Sequence, residues 1–220
     1  MNIPHLPPLL LAACLTLSGG LSGCVPVAAV GVTAGALMII DRRPTDTYLT
    51  DEAIEIRAAN RINERFGDKV HVNVTSFNRM ALLTGEVPDA ATRAEVEKIV
   101  AGVPNLRALT NELQISGISS LSARSNDAFI SSKVKARFVD ANRFNAVHVK
   151  VVTEAGDVYL LGLVTQREAD AAVEIARTTA GVRKVVRVFE LISEDEARRL
   201  DAQPPRQPAA GQTATTPQGL

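Results

Sequence analysis

The sequence predicts an α+β protein made of two tandem copies of one small lobe, each a three-stranded mixed sheet packed on two helices. Three observations carry this. A cassette occurs twice, as His71-Val-Asn-Val followed by Ala81-Leu-Leu-Thr-Gly-Glu-Val, and as His148-Val-Lys-Val followed by Val158-Tyr-Leu-Leu-Gly-Leu-Val. The glycines Gly85 and Gly162 fall at the same place in both copies, 77 residues apart, which marks an internal repeat. Each cassette lies between two stretches whose apolar residues recur at helical spacing. A chain of 220 residues, 46% hydrophobic, has room for two such lobes.

Composition narrows the function classes. The formal net charge is zero and no aromatic stripe offers stacking, so the basic face that a general nucleic-acid binder needs is missing. With no Trp and two Tyr, the cores must be built from Val, Ile, Leu, Ala and a few Phe, and each will be modest. Both cysteines, Cys14 and Cys24, lie in the N-terminal apolar stretch, which leaves the lobes without a disulfide framework or a thiol metal site. His71 and His148 occupy equivalent positions, expected on strands, and read as structural. No His-x-x-x-His, Gly-x-Ser-x-Gly or phosphate-cradling loop is present. Glu95, Glu97 and Glu174 alternate with basic residues on solvated helix faces. The expectation is therefore no catalytic residue, no cofactor and no metal.

Residues 3–23 form an apolar stretch that ends in Leu21-Ser-Gly-Cys24. This resembles a bacterial lipobox, although Leu11-Ala-Ala-Cys14 also fits the pattern and the first residues lack Lys or Arg. Cys24 is preferred, because cleavage before Cys14 would leave too short a hydrophobic region. The resemblance implies that residues 1–23 are a signal peptide and that Cys24 is acylated. With Val25 rather than Asp next in the chain, it also implies sorting to the outer membrane, facing the periplasm. Residues 25–40 are apolar but interrupted by Pro26, Gly31 and Gly35, too short and broken for a span. Residues 24–49 are expected to be a lipidated tether, the acyl chains and the apolar segment acting as two membrane signals.

The first lobe is expected over 50–115 and the second over 126–192, with a linker at 116–125. Thr50 or Asp51 is a candidate cap for a helix burying Ile54, Ala58, Ile62 and Phe66 and ended by Gly67. Asn126 or Asp127 plays that part for Ile130, Val134 and Phe138. The alternating Val70, Val72, Val74 and Val147, Val149, Val151 predict half-buried first strands, with turns at Asn78-Arg79 and Ala155-Gly156-Asp157. Gly85 and Gly162 are expected where the second strands end, for positive φ or close backbone approach. Second helices are expected over 89–100 and 167–179, each followed by Ala-Gly-Val with Gly102 and Gly181. Crossover strands at 106–115 and 185–191 complete mixed sheets. The tail, 193–220, starts as a charged helix-compatible piece and becomes rich in Pro, Gln and Thr, as disordered segments are.

Two lobes of this order, with Val158-Tyr-Leu-Leu-Gly-Leu-Val-Thr-Gln-Arg-Glu-Ala and the repeated Ala-Gly-Val, look like BON domains. From the lipobox to Ile192 the chain resembles the dual-BON outer-membrane lipoproteins, the division- and outer-membrane-stress-associated lipid-binding proteins. The resemblance implies a phospholipid-binding role in maintaining the outer membrane, placed on the first helix of the second domain.

Comparing the two first helices gives an internal control for what the fold alone requires. Opposite the core face, the second copy projects Phe129, Ser132, Ala136 and Val139, flanked by Lys133 and Lys135, with Arg137 or Arg143 nearby; the first copy has Ala53, Ile56, Asn60 and Asn63 there. An outward aromatic beside lysines suits the boundary of a bilayer containing anionic phospholipid such as phosphatidylglycerol or cardiolipin. The second lobe carries about two positive charges net and the first about two negative. Packing of Phe129 against the other lobe or the linker is the alternative use of that face. A scaffold that recruits envelope-assembly or peptidoglycan-associated proteins through sheet edges or the tail is the alternative function.

Overall fold

The structure, a computed structural model, describes residues 41–203. The expectations for 1–40, including the signal peptide, Cys24 and most of the tether, and for the tail beyond 203 lie outside the described residues. Each lobe runs helix, strand, strand, helix, strand. In the first, α1 (Thr45–Phe66) precedes the hairpin β1 (His71–Phe77) and β2 (Met80–Val87), followed by α2 (Ala90–Ala101) and the short strands β3 (Ala108–Asn111) and β4 (Gln114–Ile115). In the second, α3 (Leu121–Ala141), β5 (Lys150–Glu154), β6 (Asp157–Val164), α4 (Gln166–Arg177) and β7 (Lys184–Leu191) repeat the order, and α5 (Glu194–Asp201) closes the described chain.

Both hairpins are antiparallel and both crossover strands add parallel to the second strand, so the sheets are mixed. The crossover strand of the first lobe is broken. β3 and β4 each pair with β2, and Glu112 and Leu113 interrupt them. The hairpin turns use two left-handed residues, Asn78 and Arg79 in one and Ala155 and Gly156 in the other. That twist matches the strands they join.

Both first helices start earlier than the sequence suggests. α1 begins at Thr45 after Pro44 and α3 at Leu121, capped by the Ser120 side chain on the Ala123 N–H. Residues 116–120 alone separate β4 from α3. Asp51 and Asp127 are not caps. They sit buried inside their helices, where each carboxylate accepts the two backbone N–H groups of its lobe's hairpin turn, Asn78 and Arg79 for Asp51 and Ala155 and Gly156 for Asp127. Such charge-assisted bonds satisfy donors that a tight turn leaves open and fix the helix on the hairpin. In the second lobe the segment around His148 is a 3₁₀ turn (Ala146–His148) rather than a strand, so the two histidines differ in setting. The second helices differ by a residue or two from expectation: Asp89 caps α2 from outside, and α4 starts after a Thr165–Glu168 capping box and ends at Arg177.

Ile54, Ala58 and Ile62 of α1 pack with Ala81, Leu83, Val87, Val96 and Val100. Ile130, Val134 and Phe138 of α3 pack with Val158, Leu160, Val164 and the alanines of α4. Burying each of the larger side chains contributes about 1.5–3 kcal/mol. The opposite faces of the two sheets meet each other. Phe77 and Leu82 pack there with Tyr159, Leu161 and Leu163, so β2 and β6 are buried on both sides. Lys150 to Glu55 (2.9 Å), Asn73 to Glu154 (3.0 Å) and Asn78 to Glu190 (2.8 Å) bridge the lobes around this contact.

Gly85 and Gly162 lie within strands rather than at their ends. A Cβ on Gly85, where φ is +111°, would stand 2.0 Å from the His71 carbonyl oxygen. One on Gly162 would stand 2.3 Å from the His148 carbonyl oxygen, although Gly162 has no positive φ. Close approach of a backbone is thus common to both. Gly181, at φ +98°, also lies against Ile130, whereas Gly102 has φ −83° and ordinary spacing, so nothing at Gly102 requires a glycine.

Candidate functional site: the outward face of α3

The core needs Ile130, Val134 and Phe138 on one side of α3, and the 3.6-residue period therefore sends Leu121, Ser125, Phe129, Ser132, Ala136 and Val139 to the other. All six are exposed. Leu121 is 75% exposed, Phe129 61% and Val139 65%, so one helix face presents three large apolar side chains that no part of the described chain covers. Phe129 does not pack on the first lobe or on the linker, because the lobes meet through their sheets. A helix expected from Asn126 leaves out Leu121, which the observed helix includes. The hydroxyl of Ser120 before an apolar residue was the available signal.

The basic residues fall into two groups. Lys135 is exposed and shares a flank with Arg124, three helical turns away. Lys133 lies on the other flank, its ammonium 4.7 Å from the Phe129 ring centroid and donating to the Ala180 carbonyl. Arg137 is committed to the fold: its guanidinium donates to the Ile175 carbonyl and the Thr179 hydroxyl, both at 2.9 Å, tying α3 to the end of α4. Arg143 pairs with Glu174 at 2.8 Å. Of the predicted residues, Phe129, Ser132, Lys135, Ala136 and Val139 face outward together, Lys133 borders them, and Arg137 is turned to a structural task.

The equivalent face of α1 makes the contrast. It exposes Leu49 and Ile56, but its charged neighbours include Asp46, Glu52 and Glu64, and Asn60 and Asn63 replace the apolar residues. At the position of Phe129 the first copy has Ala53, so the outward face of α1 lacks the ring that stands beside Lys133 on α3. The α3 face offers apolar area with ammonium and guanidinium groups at its edge. Among the described residues no helix is long and apolar enough to cross a membrane.

Comparison with known proteins places these lobes. Residues 50–117 and 126–192 each match the BON domain. The chain is 34% identical over 174 residues to the outer membrane lipoprotein DolP of Haemophilus influenzae, covering 78% of this chain and 90% of that protein. It is 29% identical over 155 residues to the 21 kDa hemolysin of Actinobacillus pleuropneumoniae, covering 70% and 80%. It is 25% identical over 157 residues to the osmotically-inducible protein Y of Escherichia coli, covering 70% and 78%.

Proposed function

The chain belongs to the BON-domain family, and from that premise we propose that it is a non-enzymatic outer-membrane lipoprotein whose second lobe binds anionic phospholipid through α3. The observation that carries the reading is the α3 face, with Leu121, Phe129 and Val139 exposed between Lys133 on one flank and Arg124 and Lys135 on the other. The apolar residues would rest at the acyl boundary while the cations meet phosphates, each cation contributing about 1 kcal/mol near an anionic surface. Such a contact is weak alone. An acylated Cys24 facing the periplasm would hold the lobes beside the bilayer and raise the local concentration enough for it to matter. In this reading 1–23 is the signal peptide, 24–49 leads from the lipid to the lobes, and the outer membrane's integrity is what the contact serves.

The test is binding to vesicles of phosphatidylglycerol or cardiolipin by the wild-type chain and by Phe129→Glu. Loss of binding with the cooperative melting transition retained supports the reading, because Phe129 is exposed and lies outside the core. Equal binding by the two proteins rules out the α3 face.

A further inference from the structure

We propose that the seam between the lobes holds one divalent zinc-class cation, ligated by His71, Glu86 and Glu154. His71 comes from β1, Glu86 from β2 and Glu154 from β5, so three strands and both lobes supply the donors. One potential ligand atom from each residue lies within 4.8 Å of the others. His71 Nδ1 is 2.8 Å from Glu86 Oε2, and the Asn73 amide, which donates to Glu154 Oε2 at 3.0 Å, stands 3.5 Å from His71 Nε2. Sequence spacing hides this set. His71 and Glu86 are cross-strand partners, and Glu154 reaches them only because the two sheets pack face to face.

Burial makes the set more than a chance gathering of acids. Glu86 and Glu154 are 4% and 3% exposed, and among the described residues no lysine or arginine forms an ion pair with either. Two neighbouring carboxylates taken out of water without a cation are costly, and such groups are normally paired or bound to metal. Among the described residues the imidazole is the only ion-pair partner of opposite potential charge, and it can neutralise at most one of them. A divalent ion balances both at once.

The donor types select the class. One imidazole nitrogen with two carboxylate oxygens is a set zinc accepts at about 2.0–2.2 Å, whereas calcium and magnesium take oxygen donors alone. Donors on one tetrahedral ion stand roughly 3.4 Å apart, so small rotations of the two glutamate side chains bring the set to bonding distance. Three protein ligands leave a fourth position. A cleft of about 380 Å³, lined by His71, Asn73, Asp127, Ser131 and Glu154, leads to it from solvent. Arg124 edges the same cleft from α3. The ion would then act as a rivet between the lobes.

The experiment is titration of the metal-stripped full-length chain with zinc chloride, followed by calorimetry and by thermal melting. The wild type is expected to bind one zinc per chain and to melt higher with it. Glu154→Gln, nearly the same shape, and His71→Ala should each bind at least about tenfold more weakly and lose the melting gain. Circular dichroism of metal-free Glu154→Gln checks that this variant keeps its fold. Absence of saturable zinc binding by the wild type overturns the proposal, and so does wild-type affinity in Glu154→Gln. An equal melting gain with calcium chloride overturns the assignment to zinc.

Discussion

The Lys133 ammonium lies 4.7 Å from the centroid of the Phe129 ring while donating to the Ala180 carbonyl, so one side chain joins the outward face of α3 to the turn after α4. Lys135, two residues on, is exposed and makes no such commitment. The two lysines should therefore separate by experiment. Lys133→Ala removes a cation–π contact and a charged hydrogen bond, a loss of about 1–2 kcal/mol that lowers the melting temperature. Lys135→Ala should leave melting unchanged and weaken binding to phosphatidylglycerol vesicles by about fivefold, with the difference vanishing at high salt. Vesicle sedimentation and thermal melting of both variants check this.

The four repeat glycines should not behave alike. Gly85→Ala and Gly162→Ala force a Cβ into the His71 and His148 carbonyls and should each destabilise by about 3 kcal/mol or more. Gly85 carries the added strain of positive φ. Gly102→Ala should change stability by less than about 0.5 kcal/mol. Urea denaturation of the set gives the ranking directly.

Arg42 forms a two-sided clamp. Its guanidinium donates to Glu168 at 2.7 and 3.0 Å and to Asp201 at 2.8 and 2.9 Å, and also to the Leu163 carbonyl at 2.9 Å. Burial alone would raise the Glu168 carboxyl, but hydrogen bonds from Arg42 and the Thr165 N–H, with the charge of Arg42, hold it below its ordinary value. Asp201 is lowered by its hydrogen bond to Arg42, against a smaller effect of burial. Depressed carboxylates stabilise the fold above the ordinary carboxylate range and lose that stabilisation as pH falls through the depressed values. Arg42→Ala should cost about 3 kcal/mol at neutral pH, because it strands the buried Glu168. Its deficit against the wild type should shrink as pH drops below about 4. Urea melts at neutral and acidic pH measure both limbs.

Tyr159 reports on the contact between the sheets at the opposite end of the pH scale. Burial, helped by the nearby carboxylates of Glu112, Asp157 and Glu154, pushes its phenol up to about 12. The folded state thus favours the neutral phenol. Its contribution is intact below the ordinary tyrosine value near 10 and disappears as pH rises from there to about 12. The wild type should lose stability through that window faster than Tyr159→Phe, as melting temperatures measured against pH would show.

Much of this architecture was legible because the chain states it twice. The order of elements, the core residues Ile54, Ala58, Ile130 and Val134, and the turn at Asn78-Arg79 follow from local pattern, while the second turn is one residue shorter than expected because Asp157 already pairs with Glu154. Several differences have a common cause, which is that the deciding partner lies far along the chain. An aspartate before an apolar period reads as a cap, and nothing local says that Asp51 and Asp127 reach hairpin turns nearly thirty residues later. His71 and His148 look equivalent, but only the first lies on a strand opposite a glutamate. Burial of β2 and β6 on both faces did have a signal. The near-continuous apolar runs Ala81-Leu-Leu and Val158-Tyr-Leu-Leu are those of a strand covered on each side. On α3, the outward apolar residues could be found from periodicity, whereas the tying of Arg137 to Ile175 and Thr179 depends on how α4 packs.

The Arg42 clamp also sets the path of mechanical load. Because Arg42 is bound to Glu168 and Asp201 while Arg43 is bound to Asp51, a pull on the preceding segment is divided between α4 and α5 on one side and α1 on the other. The first lobe, although first in sequence, then takes only part of that tension, and the rest is borne by the lobe whose α3 face is proposed to touch the bilayer. In single-molecule pulling from the N-terminal side, Arg42→Ala should transfer the earliest yielding event to the first lobe.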